Sequence, residues 1–156
     1  MSVSDLEKAF SLIEQHQDQA DFDGPKPEEW ISSAESILGV KFPLTYRRFL
    51  AFYGCGDIAG QEFYGIIKND FRHSGVPDAI WLTLDERKKS KLPLSFVIIY
   101  AASDGSYYAL DCSRWSDVEE CPIVVWIPGI SKEGDCLEEI AEDYGKFLLE
   151  TIEQVV

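Results

Sequence analysis

A glycine-rich segment around a cysteine is the part of the sequence whose residue types and spacing could most readily support chemistry. Gly54, Cys55 and Gly56 are followed by Asp57 and Gly60, a composition compatible with a phosphate-binding loop that carries a nucleophilic thiol. Such a loop follows a strand and precedes a helix, so that free amides at the helix N-terminus face the anion. Here the segment follows a predicted helix and precedes a predicted strand. We therefore interpret the glycines as the end of a helix, where left-handed backbone favours glycine.

The cysteines and histidines form no recognisable catalytic or metal-binding set. Cys55 as a nucleophile needs a base within reach, and only His16 or His73 is available to supply one. No two of the four cysteines have the C-x-x-C spacing of a zinc or redox motif. We expect reduced, mostly buried thiols, with no metal ion and no cofactor. The cysteines are Cys55, Cys112, Cys121 and Cys136.

Acid–base catalysis by paired carboxylates stays open as an alternative, because the chain is rich in acids. Asp104 falls in a predicted turn and Asp111 at the end of a predicted strand, where each has an ordinary structural role. The sequence contains no nucleophile-elbow, zinc-metalloprotease or P-loop motif. We predict that the protein is not an enzyme. The competing hypothesis is a small hydrolase that uses carboxylates or Cys55.

The net charge is strongly negative and unevenly distributed along the chain, with a formal value of −14 over 156 residues. Segment 1–30 has eight acids and two bases, segment 111–156 has twelve and three, and segment 31–110 has eight and nine. Such a chain repels nucleic acid and anionic lipid, because binding to either begins with lysine and arginine. A basic protein partner would be attracted, although solubility alone also explains the acidity.

No membrane segment or targeting signal is recognisable in the sequence. No run approaches the roughly 18 apolar residues that a membrane helix needs. Residues 1–10 lack the basic and apolar regions of a signal peptide. The length and the 46% hydrophobic content are those of one packed domain. We expect a cytoplasmic, single-domain protein whose oligomeric state the sequence does not indicate.

Three helices are predicted in the first third of the chain. Ser4 begins the first helix with a capping box. Pro27 and Pro43 begin the second and third helices, and Gly39 and Gly54 end them. Apolar residues recur at helical spacing in all three, as expected for helices that pack on one core.

The remainder of the chain is predicted to contain strands and two further helices. A short helix is predicted from 75–78 to 87–89, with an extended segment at 81–83 as the alternative. Asp104 and Gly105 predict a two-residue type I′ hairpin, and a long amphipathic helix is predicted from about Asp135. The order predicts an α+β domain with N-terminal helices and a mostly antiparallel sheet. β-branched and aromatic runs predict strands at 63–67, 95–100, 106–111 and 123–126.

Two ordered motifs and a closing helix resemble the SUKH superfamily, the Smi/Knr-type proteins. The second motif is a strand, turn and strand with Asp104 and Gly105 in the turn and Asp111 at the end. The resemblance covers most of residues 27–152, and residues 1–26 add an N-terminal helix and an acidic loop to the same domain. The first motif consists of Leu38, Gly39, Pro43, Tyr46, Phe49, Leu50, Gly54 and Gly56.

The resemblance implies an immunity protein, an antitoxin that binds and neutralises a co-encoded polymorphic toxin. The toxin is frequently a nuclease, and secreted toxins of the LXG type are one candidate source. A basic toxin domain would complement the acidic charge of this chain, without involvement of nucleic acid, membrane or cofactor. The eukaryotic members of the family are similar to regulatory scaffolds, which gives the alternative function.

The residues that bind the partner are expected outside the family motifs, on loops and acidic faces. The glycine, proline and aromatic residues of the motifs are typical determinants of a fold. Trp115, between two predicted strands, is the predicted aromatic anchor, with packing over the sheet edge as the alternative. The other predicted binding residues are the acids of the last helix: Glu138, Glu139, Glu142 and Asp143.

Overall fold

The computed structural model describes residues 2–156 and confirms the α+β class. None of the helices in this range is both long and apolar enough to span a bilayer. The helices are α1 (Ser2–Gln15), α2 (Glu28–Leu38), α3 (Leu44–Phe52), α4 (Ala79–Lys89) and α5 (Tyr144–Glu153). The strands are β1 (Ala20–Phe22), β2 (Gly56–Ile58), β3 (Gln61–Phe63), β4 (Phe96–Ala101), β5 (Tyr107–Asp111), β6 (Ile123–Trp126) and β7 (Glu139–Ala141).

The strands form two antiparallel sheets. Strands β1, β2 and β3 make a three-stranded sheet, and β4 to β7 make a four-stranded sheet in chain order. In the larger sheet, Phe96 lies opposite Asp111 and Ala101 lies opposite Tyr107. Every strand pair in the two described sheets is antiparallel, so the predicted antiparallel character is confirmed.

The boundaries of α2 and α3 follow from proline and glycine, as predicted. Pro27 and Pro43 lie at the N-caps in extended backbone, one residue before the helices that they are predicted to begin. Gly39 ends α2 in left-handed backbone with φ of 73°, and Gly54 follows the end of α3 with φ of 74°. Left-handed backbone costs little only for glycine, so each helix ends where the sequence supplies one.

The starts of α4 and α1 differ in how well the sequence predicts them. Helix α4 is continuous through 81–83, so the helical prediction is confirmed and the extended alternative is wrong. Asp78 caps this helix by accepting hydrogen bonds from the amides of Ile80 and Trp81, at 2.9 and 3.0 Å. Helix α1 already includes Ser2, two residues before the predicted start at Ser4.

The four-stranded sheet has α4 on one face and α5 on the other. Successive residues of a strand point to opposite faces, so Tyr107 and Tyr108 of β5 lie on different faces of the sheet. The neighbours of each tyrosine show which helix covers that face. The ring of Tyr108 contacts Phe147 of α5, with centroids 6.0 Å apart. Burial and then the charge of Glu86 in α4 raise the pKa of Tyr107. The sheet therefore forms the middle layer between these two helices.

The predicted C-terminal helix is present, but its predicted start at Asp135 is wrong, because α5 begins only at Tyr144. Residues Glu139–Ala141 form β7 instead, which pairs with β6 at the edge of the sheet. The amide of Val125 also donates to the carbonyl of Glu138, at 2.9 Å. The acids predicted to share one helix face therefore lie on a strand and its flanks.

Sheet pairing and a helix cap explain this difference. Leu137 and Ile140 have helical spacing, but pairing with β6 satisfies backbone groups that a helix would otherwise satisfy. The Asp143 side chain accepts a hydrogen bond from the amide of Lys146, at 2.8 Å, and so begins α5 at the next residue. A cap at this position separates the strand from the helix.

The hairpin at Asp104 and Gly105 has a three-residue turn, and the predicted two-residue type I′ turn is wrong. Gly105 has φ of 90°, whereas Asp104 has no positive φ. The amide of Gly105 donates to the carbonyl of Ala102 at 3.2 Å, and the amide of Ala102 donates to the carbonyl of Ser106 at 2.9 Å. Asp104 also accepts from the amide and hydroxyl of Ser106. One left-handed glycine after a tight turn is typical of three-residue hairpins.

The strand predicted at 63–67 is only partly confirmed, since β3 ends at Phe63. Beyond it, the amide of Ile66 donates to the carbonyl of Gly54 at 3.0 Å. A Cβ atom at Gly65 would lie 1.7 Å from the same carbonyl oxygen. The close approach of these two backbone segments therefore replaces the regular strand.

Candidate functional site

The glycine-rich segment around Cys55 is a packed joint, with no open cradle. A Cβ atom at Gly56 would lie 2.3 Å from the carbonyl oxygen of Asp21. Cys55 is 2% exposed, and burial, followed by the charge of Asp23, raises the pKa of its thiol to about 12. A thiol that stays protonated is a poor nucleophile. The segment therefore has the structural role predicted from its position after a helix.

No cluster of side chains that could hold a metal ion is found among residues 2–156. All four cysteines are free: Cys55 and Cys121 are buried, Cys112 is half-buried and Cys136 is exposed. No group of three or more histidine, cysteine, aspartate or glutamate side chains in this range could hold a metal ion. Five surface grooves of this part of the chain are lined by neither Cys55 nor a histidine. The candidate site described next is the surface around Trp115.

The connection between β5 and β6 presents Trp115 at the surface. Its side chain is 44% exposed, and its indole Nε1 donates to the carbonyl of Cys112 at 2.8 Å. The amide of Ser116 donates to the carbonyl of Glu120, also at 2.8 Å. Because the polar atom of the indole is already bonded within the loop, the ring offers a fixed apolar face.

A buried carboxylate fastens this loop to the start of α3. Glu120 is 1% exposed and accepts hydrogen bonds from the amide of Thr45 at 3.1 Å and from its hydroxyl at 2.7 Å. The same hydroxyl accepts from the amide of Gly145 in α5, at 3.2 Å. Burial raises the pKa of Glu120 to about 7, although the bonds from Thr45 act to lower it. The position of Trp115 is therefore tied to two helices.

Trp115 borders two surface grooves. The first has a volume of about 260 Å³ and is bordered by Arg114, Glu120, Glu139 and Glu142 as well as the indole. Arg114 Nη2 and Glu139 Oε1 form an ion pair at 3.0 Å. We call Trp115, Arg114, Glu139 and Glu142 the Trp115 surface. It combines an exposed aromatic ring with two carboxylates, and the second of these, Glu142, lies 3.9 Å from Nζ of Lys146.

The second groove lies on the other side of the indole. It has a volume of about 400 Å³, and its charged lining consists of two acids, Glu35 and Glu119, and two bases, Lys41 and Arg47. Arg47 Nη1 and Glu35 Oε1 form an ion pair at 2.6 Å. The acids and bases of this groove are equal in number, whereas three acids and one base line the first groove. The first groove is therefore the more acidic of the two.

The structure brings together three of the five predicted binding residues. Trp115, Glu139 and Glu142 border the same groove, although the acids come from β7 and the turn after it. Their proximity results from the pairing of β7 with β6, which places residues after β7 beside the loop before β6. The prediction that these residues bind a partner stays a prediction.

The other two predicted binding residues lie elsewhere. Glu138 is exposed and immediately precedes β7. Burial first, and then the negative charges of Asp104 and Glu138, raise the pKa of Tyr108, so Glu138 lies near that tyrosine. Asp143 is 6% exposed and caps α5, so its carboxylate is occupied within the fold. It is not available as part of an acidic helix face.

Glu120 and Arg114 belong to the site although the sequence does not single them out. Glu120 is one acid among many in a strongly acidic segment, and its neighbours do not indicate burial. Its partner Thr45 is 75 residues away in the chain. The burial of Glu120 is evident only from this tertiary contact, which the spacing of residues in the sequence does not reveal.

The match to known families identifies the fold. A family model described as SUKH_6, SMI1-KNR4 cell-wall, matches residues 28–148. The chain belongs to the SUKH superfamily. This family consists in general of non-catalytic immunity proteins. No curated protein matches the chain.

The motif residues of this SUKH domain have structural contacts. The hydroxyl of Tyr46 donates to the carbonyl of Tyr64 at 3.0 Å, and Phe49 and Leu50 have no exposed surface. Asp111 accepts from the amide and hydroxyl of Ser113, at 3.1 and 2.6 Å. These contacts stabilise the helices and the hairpin.

Proposed function

We propose that this SUKH protein is an immunity protein that captures a cognate secreted toxin domain in the cytoplasm and neutralises it. The observation that carries the proposal is membership of the family over residues 28–148. The toxin domain is basic, and a nuclease is the class that fits best, because its phosphate-binding groove attracts an acidic inhibitor. Capture is stoichiometric and requires no cofactor.

The Trp115 surface has the composition expected of an anchor for such a partner. Tryptophan is enriched among the residues that contribute most to binding free energy. The bond from its indole to Cys112 fixes the ring before binding, which lowers the entropy lost on association. Exposed carboxylates at the rim, such as Glu142, increase the association rate with a basic partner more than they increase affinity.

Neutralisation by binding also fits the environment of the one candidate nucleophile. The Cys55 thiol is buried and its pKa is raised to about 12, which keeps it protonated at neutral pH. The carboxylate of Glu120 is already hydrogen-bonded to Thr45. The thiol is therefore part of the core, and the carboxylate joins the loop to α3.

Co-expression with the toxin encoded beside this gene tests the proposal. We expect the protein to restore growth to cells that produce the toxin domain, and to co-purify with it at a fixed ratio. A toxin domain with an inactivated catalytic residue allows the same co-purification without growth selection. Failure of both growth rescue and co-purification would overturn the proposal.

A regulatory scaffold is the alternative function. The description of the matched family refers to the cell wall, which supports this alternative. In that case the protein would bind components of a host pathway. Affinity purification from cells that lack the toxin gene separates the two functions. Stable capture of the same housekeeping proteins, without affinity for the toxin, would support the scaffold.

A further inference from the structure

A groove at the other end of the four-stranded sheet from the Trp115 surface contains two stacked tyrosines. Tyr100 of β4 and Tyr108 of β5 lie opposite each other in the register, with ring centroids 5.3 Å apart and ring planes 23° apart. Phe147 of α5 contacts both rings edge-on, at 5.6 and 6.0 Å. The groove has a volume of about 330 Å³. Its wall is a rigid, half-buried aromatic platform.

The two tyrosine hydroxyls differ in their partners. The hydroxyl of Tyr100 donates to the side-chain oxygen of Gln61. The hydroxyl of Tyr108 has no hydrogen-bond partner within residues 2–156, and its ring is only half-buried. Tyrosine hydroxyls usually find a partner when buried. The free hydroxyl of Tyr108 therefore lies where a solvent molecule or a binding partner can reach it.

The groove is negatively charged and has no compensating cation. Glu150 is the one charged side chain among the described residues that line it. This carboxylate is exposed and makes no ion pair within residues 2–156. Burial first, and then the negative charges of Asp104 and Glu138, raise the pKa of Tyr108. Two more carboxylates therefore lie near the aromatic platform.

We propose that this groove binds an arginine side chain of the protein partner. The inference deepens the proposed function and rests on it, because the partner is the basic toxin domain. A guanidinium group stacks on an aromatic ring through a cation–π interaction. Its planar N–H groups also match a carboxylate such as that of Glu150, which a lysine ammonium does less well.

Other occupants fit the groove less well. An anionic group would meet Glu150, Asp104 and Glu138 without a cation to offset them. An apolar side chain would remove water from the Glu150 carboxylate without supplying a hydrogen bond in return, which is unfavourable. An arginine satisfies both the aromatic face and the charge.

The groove and the Trp115 surface are suited to one partner. They lie near opposite ends of β5, whose five residues span about 16 Å at the usual rise per residue. A toxin domain that covers about 800 Å² of this protein, the usual size of a stable interface, can reach both. The indole then supplies the apolar anchor and the groove supplies a charge-specific contact.

The first test uses a probe that does not require the toxin. The peptide acetyl-Gly-Arg-Gly-Arg-Gly-amide is titrated into ¹⁵N-labelled protein, and the control peptide replaces both arginines by citrulline, which is neutral and nearly isosteric. We expect saturable shifts of the amides of Tyr108, Glu150 and their neighbours with the arginine peptide only. Equal shifts with the citrulline peptide, or no shifts at the groove, would overturn the inference.

Matched variants separate the groove from general charge attraction. Glu150→Gln and Glu153→Gln change the net charge equally and lie one turn apart on α5, but Glu153 lines a different groove. We expect Glu150→Gln and Tyr108→Leu to weaken peptide binding about 3- to 10-fold, and Glu153→Gln to have little effect. Thermal unfolding confirms that each variant folds. If Tyr108→Leu fails to fold, Glu150→Gln still tests the groove, because Glu150 is exposed and its substitution does not disturb the core. Equal weakening by the two glutamine variants would contradict the groove.

Affinity for the toxin domain distinguishes failure of this inference from failure of the proposed function. Weaker toxin binding by Glu150→Gln than by Glu153→Gln supports both. Tight binding that neither variant changes overturns the groove and leaves the immunity function standing. Site-specific binding of the arginine peptide without any affinity for the toxin supports the groove and overturns the immunity function.

Discussion

The buried carboxylate of Glu120 accepts hydrogen bonds from both the amide and the hydroxyl of Thr45, at 3.1 and 2.7 Å. This contact joins the loop that presents Trp115 to the start of α3. Since the Thr45 hydroxyl also accepts from the amide of Gly145, α5 is held at the same point. The geometry of the Trp115 surface therefore depends on one titratable group inside the fold.

The stability of the protein is expected to depend on the pH through Glu120. Burial raises its pKa from 4.5 to about 7 in the folded protein. A group whose pKa is raised on folding stabilises the fold when it is protonated. Its contribution is complete below about pH 4.5 and is lost as the pH rises through about 7. The free energy of unfolding, measured by urea denaturation across this range, should therefore fall.

The variant Glu120→Gln is the control, because glutamine keeps the size of the side chain but does not titrate. Its amide has one acceptor oxygen where the carboxylate accepts from Thr45 with two, so the comparison uses the pH dependence and not the absolute stability. Asp143 and Arg48 also act on Glu120, with opposite effects on its pKa, and both are retained in the variant. We expect the decrease in unfolding free energy between about pH 4.5 and 7 to be smaller in Glu120→Gln. Parallel pH profiles for the two proteins would rule out Glu120 as the titrating group.

A methyl group at Gly65 is expected to destabilise the fold strongly. The added Cβ atom would lie 1.7 Å from the carbonyl oxygen of Gly54, so the two backbone segments must move apart. Overpacking of this kind costs about 1–3 kcal/mol, measured as the change in the free energy of unfolding. Gly75→Ala is the matched control, because nothing lies within 4 Å of its added Cβ atom. Similar effects of the two substitutions would contradict the close packing at Gly65.

The four thiols are expected to differ widely in their reactivity with iodoacetamide. Cys136 is exposed, whereas Cys55 is buried with a pKa raised to about 12. Only thiolate reacts at an appreciable rate, so mass spectrometry of the native protein should show alkylation at Cys136 first. Cys55 should react only in denaturant, and Cys136→Ser should remove the fast phase. Rapid alkylation of native Cys55 would restore the nucleophile hypothesis.

Local signals in the sequence account for most of the correctly predicted elements. Pro27, Pro43, Gly39 and Gly54 act within one turn of the helix ends that they define. Strands β4, β5 and β6 combine β-branched residues with a turn containing Gly105, and both features are visible in short windows. Properties fixed by a few neighbouring residues can be predicted in this way.

Tertiary contacts decide what the sequence does not predict. Leu137 and Ile140 have the spacing of a helix, but β6 is available as a pairing partner and makes this segment a strand. Glu120 is buried because Thr45 is brought to it by the fold. The proximity of Trp115 to Glu139 arises in the same way, so the sequence predicts candidate binding residues but not how they assemble.

The affinity of the toxin domain for the protein and for the variant Trp115→Ala, measured by isothermal titration calorimetry, tests the central claim most directly. Phe52→Ala is the matched control, because Phe52 is also an exposed aromatic side chain, at 60%, but lies at the end of α3 away from the Trp115 surface. We expect a fixed stoichiometry, a loss of about 2 kcal/mol of binding free energy in Trp115→Ala, and little change in Phe52→Ala. Absence of binding by the unmodified protein would contradict the immunity function, and equal affinities of all three proteins would contradict the role of Trp115.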